Sequence, residues 1–376
     1  MSGAVLAIDV GGTKFAAAVV DVHGAIRSRA TAATPATEDP EEVAEVLRGV
    51  VGEVASTGPS SALASVGIGS AGPLDPLAGT VSPVNIPAWR DFDLVGAIKR
   101  TLPGRPVVLA GDGHCMALGE YWRGGYATPA MLGVVVSTGV GGGLVLDGRI
   151  YRGPTGNAGH IGHTVVELDG EACACGGRGC VETLASGPAM VRWALRNGWL
   201  DDAGTPFGTP AGPVDAASFR SPVEQAAWQL AGPSTQSRTT PPTGSSTMPP
   251  TLPPTMSLAV SPVSPVVSPG LARPDARRLA ADARAGNPIA REAFRRASDA
   301  LATAIVSASA LIDLDDVVIG GGVAAAGDVL FQPLRRALGA RAGLGFVRRT
   351  RVHASPLGAD AGLLGAAALA IRAAPS

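Results

Sequence analysis

Twice in this chain, more than a hundred residues apart, an apolar β run breaks at a turn rich in hydroxyl residues and glycine and resumes as a second apolar run. The first copy is A-V-L-A-I-D-V-G-G-T-K-F-A-A-A-V-V-D, Ala4 to Asp21; the second is M-L-G-V-V-V-S-T-G-V-G-G-G-L-V-L-D-G, Met131 to Gly148. Each reads as strand, tight turn, strand, and repetition of such a unit points to internal duplication. Helical patterns alternate with these strands, so the fold class is α/β. Pro40 to Val54 is amphipathic behind a Pro start, and Asp112 to Arg123 leaves a strand end as a helix. Asn287 caps a long helix with Pro288 at its first position, and Phe294, Ala297, Leu301, Ile305, Ala308 and Ile312 form its core stripe. A strand from Asp316 to Ile319 ends in Gly320-Gly321-Gly322.

Two duplicated units in one chain suit a two-lobed protein that grips phosphates between its lobes. In D-V-G-G-T-K, Asp9 to Lys14, Gly11 and Gly12 free the backbone to approach an anion, Thr13 and Lys14 can donate to phosphate oxygens, and Asp9 can hold a hydrated Mg2+. The spacing is not the Walker pattern. S-T-G-V-G-G-G, Ser137 to Gly143, with Thr138 and Gly139 at its tip, is a second cradle of the same type. Either turn alone also fits an ordinary hairpin; the pair is harder to dismiss.

Between Gly159 and Glu182 the chain concentrates ligand chemistry. G-H-I-G-H brings His160 and His163, and Cys173, Cys175 and Cys180 follow, with a glycine-rich turn between the last two. His163 with three cysteines is a Cys3His set for a closed, structural, tetrahedral Zn2+. Disulfides or buried thiols are the alternative, but C-x-C is a poor disulfide spacing and the chain shows no export signal. Such a knot would hold His160 and Glu182 close together.

Asp112, in A-G-D-G-H, follows the apolar run Val107 to Leu109. A carboxylate at the C-terminal end of a strand in an open α/β sheet sits where ligands bind, which makes Asp112 the candidate general base; a helix N-cap Asp is the alternative. Asn85 lies in a Pro-flanked loop able to hydrogen-bond a polyol, or simply to turn the chain. Trp89 reads as packing, and His23, His114, Cys115 and His353 as structural or surface residues. Gly321 and Gly322 would let a flat ring approach the backbone.

The 376 residues carry a formal net charge of −1 and are 46% apolar, enough for two ordinary domains with cores and without the footprint of a nucleic-acid or anionic-membrane binder. The N-terminus has no basic n-region, and Asp9 interrupts the first apolar run, which reads as a strand and not a signal peptide. No apolar run approaches the roughly 20 residues of a membrane span. A cytoplasmic protein in a reducing compartment is expected. From Gly232 to Gly270 the composition turns Pro/Ser/Thr-rich and almost uncharged, which predicts a disordered insertion within a domain.

Together these residues resemble the ROK family (repressors, open reading frames, kinases). The carriers are D-V-G-G-T-K at Asp9, the Asn85 loop, Asp112, S-T-G-V-G-G-G at Ser137, the block from Gly159 to Glu182, I-G-G-G at Ile319, and A-D-A-G-L-L-G-A-A-A-L-A from Ala359. The resemblance implies an actin-like ATPase (ribonuclease H-like) fold of two α/β lobes with an interlobe cleft and a structural zinc site. It implies an N-terminal lobe over 1–112, completed by a last helix over 359–372, and a C-terminal lobe over 113–358 that carries the insertion. It implies transfer of the γ-phosphoryl of ATP to a sugar hydroxyl, usually the 6-hydroxyl, with Asp112 as catalytic base. Asn85, His160, His163 and Glu182 would face the sugar, and His163, Cys173, Cys175 and Cys180 would hold zinc. Gly11, Gly12, Thr13, Thr138 and Gly139 would lie along the phosphates, and Gly321 and Gly322 would border adenosine. A homodimer is expected.

The pocket departs from the glucokinase-like pattern, which has Asn where Gly111 stands, Asn at His114 and Glu at His160. G-H-I-G-H-T looks more like the bacterial N-acetylmannosamine kinases of the same family, which usually keep the Asn that is Gly111 here. Glucose is the default substrate, an N-acetylhexosamine the close second. Sugar-sensing regulators of the family carry a helix-turn-helix ahead of the first phosphate strand; here that strand already holds Asp9.

Overall fold

The computed structural model of the chain describes residues 3–57, 63–200 and 274–374. The insertion expected over 232–270 lies outside these described residues.

The first repeat folds as its pattern predicts. β1 (Ala4–Val10) and β2 (Lys14–Asp21) pair antiparallel across the glycine turn, with Val10 opposite Phe15. β3 (Ile26–Ala33) joins the outer side of β2, and its alternating burial marks an edge strand with one wet face. After α1 (Pro40–Ser56), β4 (Leu63–Ser70) lies parallel to β1. Three two-residue strands, β5 (Leu74–Asp75), β6 (Thr80–Val81) and β7 (Phe92–Asp93), form a small separate sheet before α2 (Leu94–Thr101). β8 (Val107–Gly111) then pairs parallel with β4 and runs straight into α3 (Asp112–Arg123).

The second repeat gives β9 (Ala130–Val136) and β10 (Val140–Leu146), again an antiparallel pair, with β11 (Arg149–Tyr151) on the outer side of β10. Beyond α4 (Glu182–Ala185) and α5 (Gly187–Arg196), and then α6 (Ala276–Ala285) and α7 (Pro288–Ile312), the chain returns as β12 (Asp316–Gly320), parallel to β9. α8 (Asp328–Arg341) leads to β13 (Arg351–Ala354), parallel to β12. The two sheets, β3-β2-β1-β4-β8 and β11-β10-β9-β12-β13, thus share strand order and strand sense. The duplication inferred from two glycine turns extends to whole sheets.

α1 and α2 cover one face of the first sheet, and α3 with the last helix, α9 (Ala361–Ala373), cover the other. α5 to α8 cover one face of the second sheet, and Met116 and Ala117 of α3 pack on its opposite side with Met131, Val145 and Val318. α7 starts as predicted: Asn287 Oδ1 accepts from Ala290 N–H at 3.0 Å and Pro288 follows the cap. Its stripe is buried from Phe294 to Ile305, while Ala308 and Ile312 are half-buried. α3 and α9 cross with their backbones nearly touching. A Cβ on Gly365 would sit 1.6 Å from the Cys115 carbonyl oxygen, and one on Gly119 2.1 Å from that of Ala361. This crossing holds the helix that begins at Asp112. No helix among the described residues is long and apolar enough to cross a membrane.

Candidate active site

Asp9, Gly69 and Ala110 lie side by side across β1, β4 and β8, and Asp112 stands two residues beyond Ala110. Asp112 opens α3 but does not cap it: Gly111 is the N-cap, and Asp112 Oδ1 accepts from the N–H of Gly113 at 2.7 Å. The N-cap alternative for Asp112 therefore does not account for its carboxylate. Burial first, then the negative charge of Asp9, pushes Asp112 up to about 6, against the opposing Gly113 hydrogen bond. Burial raises Asp9 as well, opposed by Lys14 and Arg29. Two half-buried carboxylates each held above their ordinary range form a site short of positive charge, which is the chemistry a divalent cation meets.

The first glycine turn is closed by Gly11 N–H donating to the Lys14 carbonyl at 3.1 Å, and Thr34 Oγ1 donates to the Gly11 carbonyl at 2.7 Å. Thr13 and Lys14 remain exposed. Asn85 lies directly on this turn: a Cβ at Gly12 would fall 2.4 Å from Asn85 Cγ and 2.6 Å from its Cβ. Trp89, four residues on, is fully buried, with ring centroids 5.9 Å from Phe15 and 4.3 Å from Phe92. It is packing, as expected, and it anchors the Asn85 loop to β2.

The second turn is built alike. Ser137 N–H donates to the Gly139 carbonyl at 2.8 Å and Thr138 points into solvent. Gly321, at φ +93°, approaches so closely that a Cβ would lie 2.4 Å from the Val136 carbonyl, and one on Gly322 would be 3.7 Å from Ser137 Oγ. Gly187, at the start of α5, donates its N–H to the Ser137 carbonyl at 2.8 Å. The glycines after β12 and the second turn are thus one locus.

Glu182 ties that turn to the cysteine block. Its Oε2 accepts from Val140 N–H at 2.8 Å. His163 Nδ1 lies 3.7 Å from Cys173 Sγ, Cys175 Sγ lies 3.7 Å from Cys180 Sγ, and the four ligand atoms are all within 4.8 Å of one another. A tetrahedral ion about 2.3 Å from each sulfur requires sulfurs about 3.8 Å apart, so the donor set fits Zn2+. Gly176 at φ +89° and Gly179 at φ +69° make the turns that fold the three thiols inward. Cys173 and Cys180 are buried, Cys175 is exposed, and burial pushes the Cys173 and Cys180 thiols up. His160 leans on the segment after β4, where a Gly72 Cβ would be 3.6 Å from its Cε1. Lost hydration and the neighbouring His163 lower its pKa, against the pull of Glu182.

His114 is buried as expected, and burial, then His160, lowers it to about 4. His353 bonds Asp316 at 2.7 Å, Cys115 is fully buried, and His23 is exposed. Sequence reasoning missed Asn157. Its Nδ2 donates to the Leu74 carbonyl at 3.1 Å and its Oδ1 accepts from Leu74 N–H at 3.4 Å, clamping the loop before His160 to β5. Its only local signal, a polar residue among glycines, reads as a turn.

The ROK family profile matches residues 5–213 and 266–373, leaving out most of the proline-rich stretch. The chain belongs to the ROK family. Among ROK relatives, a glucokinase of Thermotoga maritima is 32% identical over 368 residues, 97% of this chain and 96% of that protein. An N-acetylmannosamine kinase of Citrobacter koseri is 42% identical over 186 residues, 50% of this chain, which spans only 62% of that protein's length. The crystal structure of a Streptomyces griseus ROK glucokinase, in complex with glucose and AMPPNP, superposes with a TM-score of 0.70 at 28% identity, over 98% of this chain and 100% of that one.

Proposed function

We propose that this chain is an ATP-dependent sugar kinase that transfers the γ-phosphoryl to the 6-hydroxyl of a hexose. The observation that carries the reading is Asp112, a half-buried carboxylate at the end of β8, beside Asp9 and held up to about 6. On this reading the two sheets belong to two lobes, 1–112 with 359–372 and 113–358, and the two glycine turns face one cleft.

Asp112 takes the proton of the sugar hydroxyl as the oxygen attacks the γ-phosphorus, and the bond from that phosphorus to the β–γ bridging oxygen breaks, so that ADP leaves. Asp9 would hold Mg2+, which when bound would supply positive charge to the phosphates. Gly11, Gly12, Thr13, Thr138 and Gly139 lie along those phosphates, with Thr13 and Lys14 as donors, and Gly321 and Gly322 border the adenosine. Asn85, His160, His163 and Glu182 hold the sugar. His163 does so while Nδ1 faces the three cysteines, so bound Zn2+ would fix the tilt of its ring. Phosphoryl transfer depends chiefly on such positioning.

The contact of Asn85 with Gly12 gives a direct check. In Gly12→Ala the new methyl meets Asn85 Cβ, so rotation of the amide alone gives no relief. The sugar KM is expected to rise about tenfold, the equivalent of about 1.4 kcal/mol, with the thermal midpoint little changed. Steady-state kinetics with unaltered KM would detach Asn85 from the sugar.

Glucose is the first reading of the sugar, by resemblance along the whole chain to glucokinases. A second reading, an N-acetylhexosamine, rests on the G-H-I-G-H-T form around His160, which looks like that of the N-acetylmannosamine kinases, and on a pocket altered at Gly111 and His114. A Cβ at Gly111 would lie 3.0 Å from His114 Nδ1, so the imidazole crowds the space an Asn side chain would enter. That removes a hydroxyl partner, and hydrogen-bonding sites discriminate strongly by such partners. The test is ADP release with ATP and Mg2+ on glucose, mannose, fructose, N-acetylglucosamine and N-acetylmannosamine. Glucose is expected to give the highest kcat/KM; preference for an acetamido sugar moves the assignment to the second reading. No turnover on any sugar overturns the kinase and leaves a sugar-binding regulator.

A further inference from the structure

We propose that the groove between the β10–β11 hairpin and the C-terminal end of α9 is a second ligand site, which binds a small phosphate ester through Arg149, Arg152 and Arg372. The groove has a volume of about 620 Å³, within the range of small-molecule sites. Three guanidiniums and a single carboxylate, that of Asp147, line it, an excess of two positive charges. Arg372 Nη2 donates to the Gly148 carbonyl at 2.9 Å, which fixes one guanidinium on the hairpin turn. The guanidiniums of Arg149 and Arg152 have no hydrogen bond or ion pair among the described residues, whereas Arg27, Arg48, Arg295 and Arg351 each hold a carboxylate. Arg152 is also half-buried, and its charge is felt by the buried His114 and Cys115 of α3. A cation withdrawn from water without an acid partner is costly, and an anion in the groove offsets that cost.

Planar guanidinium forks match phosphate oxygens. Val108, Ile150 and Leu369 supply an aliphatic floor, which suits the carbon face of a sugar ring and has no use for a bare anion. None of the residues assigned above to sugar, phosphates or metal lines the groove. Two of its walls nevertheless lead to that machinery: β8 runs on from Val108 to Gly111, next to Asp112, and the chain after β11 runs from Arg152 through Asn157 to His160. A hexose phosphate is the product of the proposed reaction, so the assignment of this ester as the natural occupant rests on that reading.

The experiment is calorimetric titration of the full chain with glucose 6-phosphate and, separately, inorganic phosphate, using wild type, Arg149→Gln/Arg152→Gln and Arg149→Lys/Arg152→Lys. Wild type is expected to take up two equivalents of glucose 6-phosphate, one at the kinase site and one in the groove. The glutamine variant should lose the groove equivalent, at least tenfold in affinity, with a thermal midpoint no lower than that of ligand-free wild type, and the lysine variant should recover part of it. One equivalent in wild type and none in the glutamine variant would keep the groove while removing the kinase site. The same uptake in wild type and the glutamine variant overturns the proposal. Inorganic phosphate binding as tightly as the ester overturns the ester assignment.

Discussion

Asp112→Asn is expected to lower kcat by about 10²–10⁴-fold while leaving sugar affinity nearly intact, because it removes the acceptor of the hydroxyl proton and little else. The amide oxygen can still accept from Gly113 N–H, so the start of α3 keeps its geometry. The same substitution should stabilise the Mg2+-free protein. Asp112 is raised in the fold from an ordinary 3.8 to about 6. Below its unfolded value the carboxyl is neutral in both states and carries no penalty. As pH rises to about 6 the unfolded chain releases its proton more readily than the folded one, and stability drains away by about 3 kcal/mol. Asn carries no such charge, so the variant should unfold at higher urea than wild type at pH 7.5 and converge with it near pH 4. Near-normal kcat would remove Asp112 from the base role, and an unchanged urea midpoint at pH 7.5 would show that the site does not strain its carboxylate. An inactive yet more stable protein is the signature of a residue kept for chemistry at a cost to the fold.

What could be read from the sequence follows from what is local. The two glycine turns announce their hairpins because each is bracketed by apolar strands, and the cap at Asn287 and the stripe behind it lie within one helix. The cysteine block was legible because its four ligands fall within eighteen residues of one another. Contacts that join distant segments were not. Asn157 reaches Leu74 across 83 residues, and nothing in G-N-A-G distinguishes that clamp from an ordinary turn. Gly119 and Gly365 look like weak points in helical patterns until α3 and α9 are seen to cross where any side chain would strike a carbonyl. Gly12 is similar: the turn explains a glycine, but only the fold shows that Asn85 occupies the space of its missing side chain. Asp112 is intermediate. Its place after a strand was readable, whereas its separation from the capping role needed Gly111 to be seen as the cap.

Cys175→Ser is expected to cost the protein its metal, on the order of 4–5 kcal/mol of stability and about 10 °C in thermal midpoint, with a rise of about tenfold in sugar KM. The size of the effect is itself the argument. Cys175 is exposed, and exchanging an exposed thiol for a hydroxyl ordinarily changes stability by no more than about 0.5 kcal/mol. A large loss at that position therefore has to come from a bond the thiol makes, and the three partners within 4.8 Å are His163, Cys173 and Cys180. Elemental analysis should find one zinc per wild-type chain and under a tenth of that in the variant. Because burial holds the Cys173 and Cys180 thiols protonated without metal, binding must displace those protons, and zinc should be released steeply as pH falls. The sugar effect runs through His163, whose ring turns free without the ion, and through Glu182, two residues from Cys180 and bonded to Val140 at the second turn. A variant that loses zinc and stability yet keeps its sugar KM would confine the knot to folding, and a variant that keeps both would leave the four residues without an ion to bind.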